Sequence, residues 1–270
     1  MINIKEEFIM LKAEIVKQQK NYQNSLSNIM SLIVWPIIIF FQTFYTYKSF
    51  DLYFLKRFGI ENQTDLLIFL ITGTLVYNCY WSMVQSAFLL TFERQNGTLE
   101  AVFITPTSLT NFLLGRALGG ILTNIGMFLS FIIILFVIVG TVSVELICSC
   151  LLSLVVIIIS SAIWGAFINS LFLTSRDSNY LFTICDEPMR ILSGTSIPVS
   201  AFPVIGRIVS FIFPSTYCLY MVRGIFFKEH VSPNIWAGFI MVLSCLVIIT
   251  IIISKEAYKR NKVTGKLFVY

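Results

Sequence analysis

Four stretches without a single charged residue, Asn21 to Tyr47, Leu66 to Phe92, Ala117 to Val144 and Leu146 to Ser175, constrain this chain more than any motif does. Each exceeds the roughly 20 residues that carry a helix across a bilayer core. Backbone N–H and C=O groups in hydrocarbon must be satisfied within the segment, so runs of this kind fold as helices. The chain is 57% hydrophobic and 12% charged, outside the range of a soluble domain. The expectation is an all-α membrane protein forming a single domain over residues 1–270, since neither a repeat nor a low-complexity linker divides it.

Two further crossings need argument. Asn234 to Ser254 is apolar and stops at the basic run that begins with Lys255 and Glu256, as a last span should. Between Ser178 and Ser232 the chain is long enough for two crossings, yet it carries Asp186, Glu187, Arg190, Arg207 and Arg223 among Pro188, Pro198, Pro203 and Pro214. It reads as one span followed by a re-entrant helical hairpin over 197–228. Basic residues crowd both termini, from Lys5 to Lys20 and from Lys255 to Lys266, which places both ends in the cytoplasm and requires an even number of spans. Six spans result. Lys48, Lys56 and Arg57 then fall outside, partly offset by Asp51 and Glu61.

Residues 1–22 do not read as a signal peptide, because Glu6, Glu7 and Glu14 interrupt the basic end and no apolar core follows. Ile4, Phe8, Leu11 and Ile15 recur at helical spacing, which predicts an amphipathic helix lying along the inner membrane surface, or else a solvated helical tail. The six cysteines contain no Cys-x-x-Cys pair and His230 is the one histidine, so neither a metal centre, a structural disulfide nor a membrane-embedded enzyme is expected. A phosphate-cradling P-loop is also missing: Gly265-Lys266 is followed by Leu267, and Arg260 stands where the first glycine is needed. ATP does not bind here through such a motif.

Two polar blocks interrupt the apolar runs. Residues 93–108, "ERQNGTLEAVFITPTS", predict a short helix from Glu93 to Ile104 with Leu99, Val102 and Phe103 on one side and Glu93, Arg94 and Glu100 wet, ended by Pro106. That suits a plug for a cytosolic partner's groove, or equally a loop that joins two spans. The second block, "LSGTSIPVSAFP", begins at Leu192. Gly115 and Gly119 open the third span with Gly-x-x-x-Gly spacing, which serves core packing or a protomer seam, and Arg116 between them is expected to snorkel to the headgroups.

Residues 92 to 116, "FERQNGTLEAVFITPTSLTNFLLGR", resemble the Glu-x-x-x-Gly-Thr-Leu-Glu…Thr-Pro…Gly-Arg pattern of ABC-2 type transporter permeases, and "FPSTYCLYMVRGIFF" at 213 to 227 resembles the family's segment before its last helix. The resemblance implies a permease paired with a separate ATP-binding cassette subunit, which would hold ATP and Mg, and with a second permease protomer, identical or paralogous. It implies that Glu93, Gly97, Thr98, Leu99, Glu100 and Pro106 form the coupling loop docked on the ATPase. Ser193, Gly194, Pro198, Pro203, Pro214, Tyr217 and Arg223 match the extracellular re-entrant gate that caps the substrate path. Membrane lipids are the other implied contact, and nucleic acid is not one. The acidic pair Asp186-Glu187 departs from the family, which is usually more apolar there.

Counted from Ser178 at about 1.5 Å per residue, that pair lies near the middle of the membrane, where ionisable groups are costly. Arg190 stands four residues after Asp186 and three after Glu187, so one helix face can hold all three as an ion-paired cluster. The cluster serves either structure or contact with cargo. Three functions are weighed. An ATP-driven exporter in the cell membrane, moving an amphipathic cargo such as a drug, a peptide antibiotic or a lipid-like molecule, leads. A lipid-linked polysaccharide exporter is the alternative, suggested by Ser175-Arg176-Asp177. A secondary transporter or channel using Asp186, Glu187 and Arg190 is the third, although the inverted repeats it should show are not visible.

Overall fold

The computed structural model describes residues 4–23, 26–49, 56–99, 102, 108–139, 144–175, 178–227 and 231–264. These are helical almost throughout, and no strand occurs among the described residues. In chain order the elements are α1 (Ile4–Gln23), α2 (Leu26–Lys48), α3 (Gln63–Val84), α4 (Ser86–Gln95), α5 (Leu109–Leu118), α6 (Ile121–Val139), α7 (Val144–Thr174) and α8 (Ser178–Leu192). A 3-10 turn (Val199–Ala201), α9 (Val204–Ser210), α10 (Pro214–Phe227) and α11 (Pro233–Thr264) complete them.

Among the described residues, four helical stretches are long and apolar enough to cross a membrane: Gln63–Arg94, Leu109–Phe136, Ile147–Thr174 and Pro233–Ala257. The pair α9 and α10 makes a fifth only if counted as one span, and it bends by 88°. The protein is a multi-pass membrane protein. At about 1.5 Å per residue, the 15 residues of α8 extend only about 22 Å, less than a bilayer core.

The longest of the central helices, α7, packs on α3, α4, α5, α10 and α11. Its sequence explains this placement. Ser160, Ser161, Ala162, Gly165, Ala166, Asn169 and Ser170 are all buried, and side chains this small let neighbouring backbones come close. At Gly165 an added Cβ would stand 2.8 Å from the carbonyl of Met83 in α3, so no larger residue fits. Hydrogen bonds between helices fix the register: Asn169 Nδ2 donates to Ser86 Oγ at 3.0 Å, and Ser82 donates to Asn124.

The Gly-x-x-x-Gly pair proves to be an internal seam. A Cβ at Gly115 would lie 3.0 Å from Glu14 Cβ, and one at Gly119 would collide with Gln18, so α1 is laid directly across α5. Leu11 and Ile15 are half-buried, while Phe8 at 66% and Ile9 at 56% exposure leave an apolar strip uncovered on α1.

Candidate functional site

At the end of α3–α4 farthest from Gln63, charges from three helices meet. Arg116 of α5 has no exposed side-chain surface; its Nη1 lies 2.7 Å from Glu93 Oε2 and 3.3 Å from Glu14 Oε1. Its Nη2 donates to the Ser86 carbonyl at 2.9 Å. Lys17 Nζ completes the ring, 2.8 Å from Glu93 Oε1 and 3.6 Å from Glu14 Oε2, and Gln18 Nε2 donates to Glu14 Oε1 at 2.7 Å. Both cations also sit over the Phe112 ring, with Arg116 at 5.3 Å and Lys17 at 5.9 Å from its centroid, within cation–π range. Two acids and two bases thus cancel, with Arg116, Glu14 and Glu93 nearly closed to solvent and Lys17 at the rim, 38% exposed. Arg116 does not snorkel, as the sequence suggested; it is the hub that joins α1, α4 and α5.

Arg94, next to Glu93, turns to α7. Its Nη1 donates to the Ser175 carbonyl at 2.8 Å, and Nη2 donates to those of Phe172 and Leu173 at 3.0 and 2.9 Å. The last carbonyls of a helix lack intrahelical donors and carry partial negative charge, so a guanidinium satisfies both needs.

The chain beyond breaks the predicted helix in two, turning at Asn96 and Gly97 before Thr98, Leu99 and Val102 are helical again. α4 ends at Gln95, and Gly97 at φ +70° takes the left-handed turn that closes many helices. Thr98 Oγ1 bonds back to the Glu93 carbonyl at 3.2 Å. Glu93 and Arg94 therefore belong to the end of a membrane helix, and neither is wet. Leu99 is fully buried in the core and Val102 packs against it, so neither is offered to a partner's groove. Thr98 is exposed, while Glu100, Phe103 and Pro106 lie outside the described residues.

In the middle of the molecule the acidic pair parts company. Asp186 is buried and accepts from the Tyr77 hydroxyl of α3, O to Oδ2 2.7 Å, while its Oδ1 has no hydrogen-bond partner among the described residues. Glu187 instead pairs with Arg190 at 3.4 Å, with side chains 48% and 53% exposed. The expected three-member cluster is thus a buried Asp–Tyr pair beside a looser i,i+3 ion pair. Helical spacing left both acids within reach of Arg190, and packing against Tyr77 decided between them. Beside them α2, α3, α8 and the turn after α8 line an open cleft of about 510 Å³. Thr43, Thr74, Tyr77, Asn78 and Arg190 line it, with Trp35 as an aromatic wall.

Toward the Gln63 end the second polar block folds as a compact cap. Gly194, at φ +92°, turns the chain after α8. Pro198 precedes the 3-10 turn, Pro203 precedes α9 and Pro214 opens α10, each at a position where a missing N–H costs nothing. Tyr217 is buried against α11, where Gly238 leaves it room: a Cβ there would lie 2.6 Å from the ring. Arg223 bridges the cap to α3, donating from Nε to Thr72 Oγ1 at 3.3 Å and from Nη2 to the carbonyls of Phe69 and Thr195, each at 3.1 Å. Gly73 makes this possible, since any Cβ there would collide with the Thr195 carbonyl.

Sequence reasoning missed Glu14, Lys17 and Arg116 as one network. The available signal was Arg116 standing between the two glycines of a close seam. The family model for the ABC-2 type transporter matches residues 6–227, and the chain belongs to this family. No curated protein matches the sequence.

Proposed function

We propose that this chain is the permease subunit of an ATP-driven exporter that moves an amphipathic cargo out across the cell membrane. Membership of the ABC-2 type transporter family implies an ATP-binding cassette partner. ATP and Mg belong to that partner and the chain itself is non-catalytic. Two permease protomers, identical or paralogous, complete the transporter, with six spans each and both termini in the cytoplasm. The fifth and sixth crossings are α2, whose only charge is the terminal Lys48, and α8 with the turn that follows it. The uncovered apolar strip of α1 rests on the inner leaflet, consistent with an interfacial helix.

The observation that carries the coupling role is the ion network at Glu93 and Arg116. It fastens the helix that leads into residues 97–106 to both α1 and α5, so a push on that loop by the ATPase reaches three helices at once. Thr98, Glu100 and Pro106 form the docking face, Gly97 is the hinge, and Glu93 and Leu99 anchor the loop from within. The cleft between α2, α3 and α8 supports an amphipathic cargo, for its lining mixes hydroxyls, an amide and aromatic rings. Gly194, Pro198, Pro203, Pro214, Tyr217 and Arg223 form the outer gate above it.

Co-expression with its ATP-binding cassette subunit tests this reading. Glu100→Arg and Gly97→Pro should insert normally yet release transport from ATP hydrolysis, because the first reverses a docking charge and the second forbids a φ of +70°. Normal transport by both variants, or a chain that transports without any ATPase, would reject it.

A further inference from the structure

A pocket of about 160 Å³ lies between α10 and the turn that follows α8, close to the Gln63 end of the molecule. Ser193, Thr216, Tyr220 and Arg223 are among its lining residues, and among the described residues no acid lines it. Arg223 spends only part of its hydrogen-bonding capacity on the described residues. Nε and Nη2 take up Thr72 and the carbonyls of Phe69 and Thr195, whereas Nη1 donates to no described residue. A guanidinium has five N–H donors, so the two on Nη1 remain. An ideal Cβ on Gly194 would stand 3.8 Å from Nη1, which puts this nitrogen beside the Ser193–Gly194 turn. The Ser193 hydroxyl at that turn is itself 1% exposed and has no hydrogen-bond partner among the described residues.

Among the described residues the positive charge is met by neutral dipoles and by the face of Phe69, whose centroid is 3.6 Å from the guanidinium carbon. Covered charges are ordinarily paired. A buried hydroxyl without a partner, on the same wall as an unspent guanidinium edge, is the lining of an anion site. We infer that this pocket binds a phosphate group, with Arg223 supplying charge and two donors and Ser193 a third donor from another direction. The volume is that of about five liquid waters at roughly 30 Å³ each, ample for a tetrahedral phosphate bearing one substituent. The inference is independent of which side of the membrane the pocket faces. It adds a ligand site to residues otherwise assigned only to a gate.

The full chain in neutral detergent should bind dioctanoyl phosphatidic acid, seen as an adduct in native mass spectrometry and as a raised melting midpoint. Dioctanoylglycerol, which lacks the phosphate, should do neither. Inorganic phosphate binding within about threefold of the lipid assigns a free anion, and binding of the lipid alone assigns a headgroup. Ser193→Ala should weaken binding about tenfold and Arg223→Gln abolish it. Because Arg223 also ties the cap to α3, Ser193→Asp is the decisive variant: its carboxylate should occupy the site, exclude both phosphate probes and raise the ligand-free midpoint. Three results overturn the inference. One is that neither phosphate probe binds, or that dioctanoylglycerol binds equally. Another is a lowered midpoint for Ser193→Asp, as for any buried carboxylate lacking a counter-charge. The third is phosphate binding that appears only after Asp51→Asn with Glu229→Gln, which would make the chain's own carboxylates the occupant.

Discussion

Two regions of this molecule treat charge in opposite ways. Around Arg116 two acids and two bases are matched within 3.6 Å, and nothing charged is left over. Around Asp186 and Arg223 the hydrogen-bond partners are a phenol, carbonyls and a hydroxyl, and among the described residues neither group is in a salt bridge. A charge-matched network fixes the relative position of helices, because removing Arg116 or either acid strands a charge away from water. A group held by neutral dipoles is held just as firmly in place but retains its appetite for a counter-charge. The first arrangement suits the transmission of force, and the second suits the reception of a ligand.

The sharpest way to break this contrast is Arg116→Leu. It leaves Glu93 and Glu14 facing one another with only Lys17 between them, and breaking such a buried pair costs about 3 to 5 kcal/mol. Monodisperse yield in fluorescence-detected gel filtration should collapse, and Arg116→Leu combined with Glu14→Gln and Glu93→Gln should recover part of it. An unchanged yield for the single variant would remove the distinction between the two regions.

Arg94→Ala should come next, because three carbonyls of the α7 terminus lose a charged donor worth about 1.5 to 3 kcal/mol. A fall in melting midpoint in detergent checks it, and Arg94→Lys should restore only part, since one ammonium lacks the two-pronged reach.

Tyr77→Phe is expected to cost about 1 to 3 kcal/mol by leaving Asp186 without its donor, and Tyr77→Phe with Asp186→Leu should melt higher than the single change. Cargo-stimulated ATPase activity measured alongside sharpens the comparison, for a receptive site should lose stimulation while a purely structural one keeps it.

The smallest effect belongs to Arg190→Leu, about 0 to 1 kcal/mol, because its pair with Glu187 is half-exposed. A large loss of stability there would restore the three-member cluster that spacing alone suggested.

What was legible in the sequence is what depends on neighbours three and four residues away. The charge-free runs marked the long helices, and Gly115 with Gly119 marked a close seam. The proline positions of the second block marked its breaks. What was not legible depends on distant partners: Arg116 finds Glu14 across 102 residues and Asp186 finds Tyr77 across 109. Helical-wheel logic sees a lone charge beside a span and assigns it to water or headgroups. It also saw Glu93 and Leu99 as one amphipathic stretch, which the left-handed turn at Gly97 divides.

The stretch Gln63–Arg94 is a near-continuous rod of 32 residues, and it touches both of the contrasted regions. Glu93 is gripped at one end, and twenty residues earlier, about 30 Å away at 1.5 Å per residue, Gly73 is pressed against the Thr195 backbone with no space for slack. Swung as a lever about Glu93, this rod turns a tilt of about 5° into a displacement of about 3 Å at the Thr195 turn, half a helical pitch. Mechanical gain of that kind needs no chain of rearranging side chains between the two sites, only a stiff helix and a contact too tight to slip.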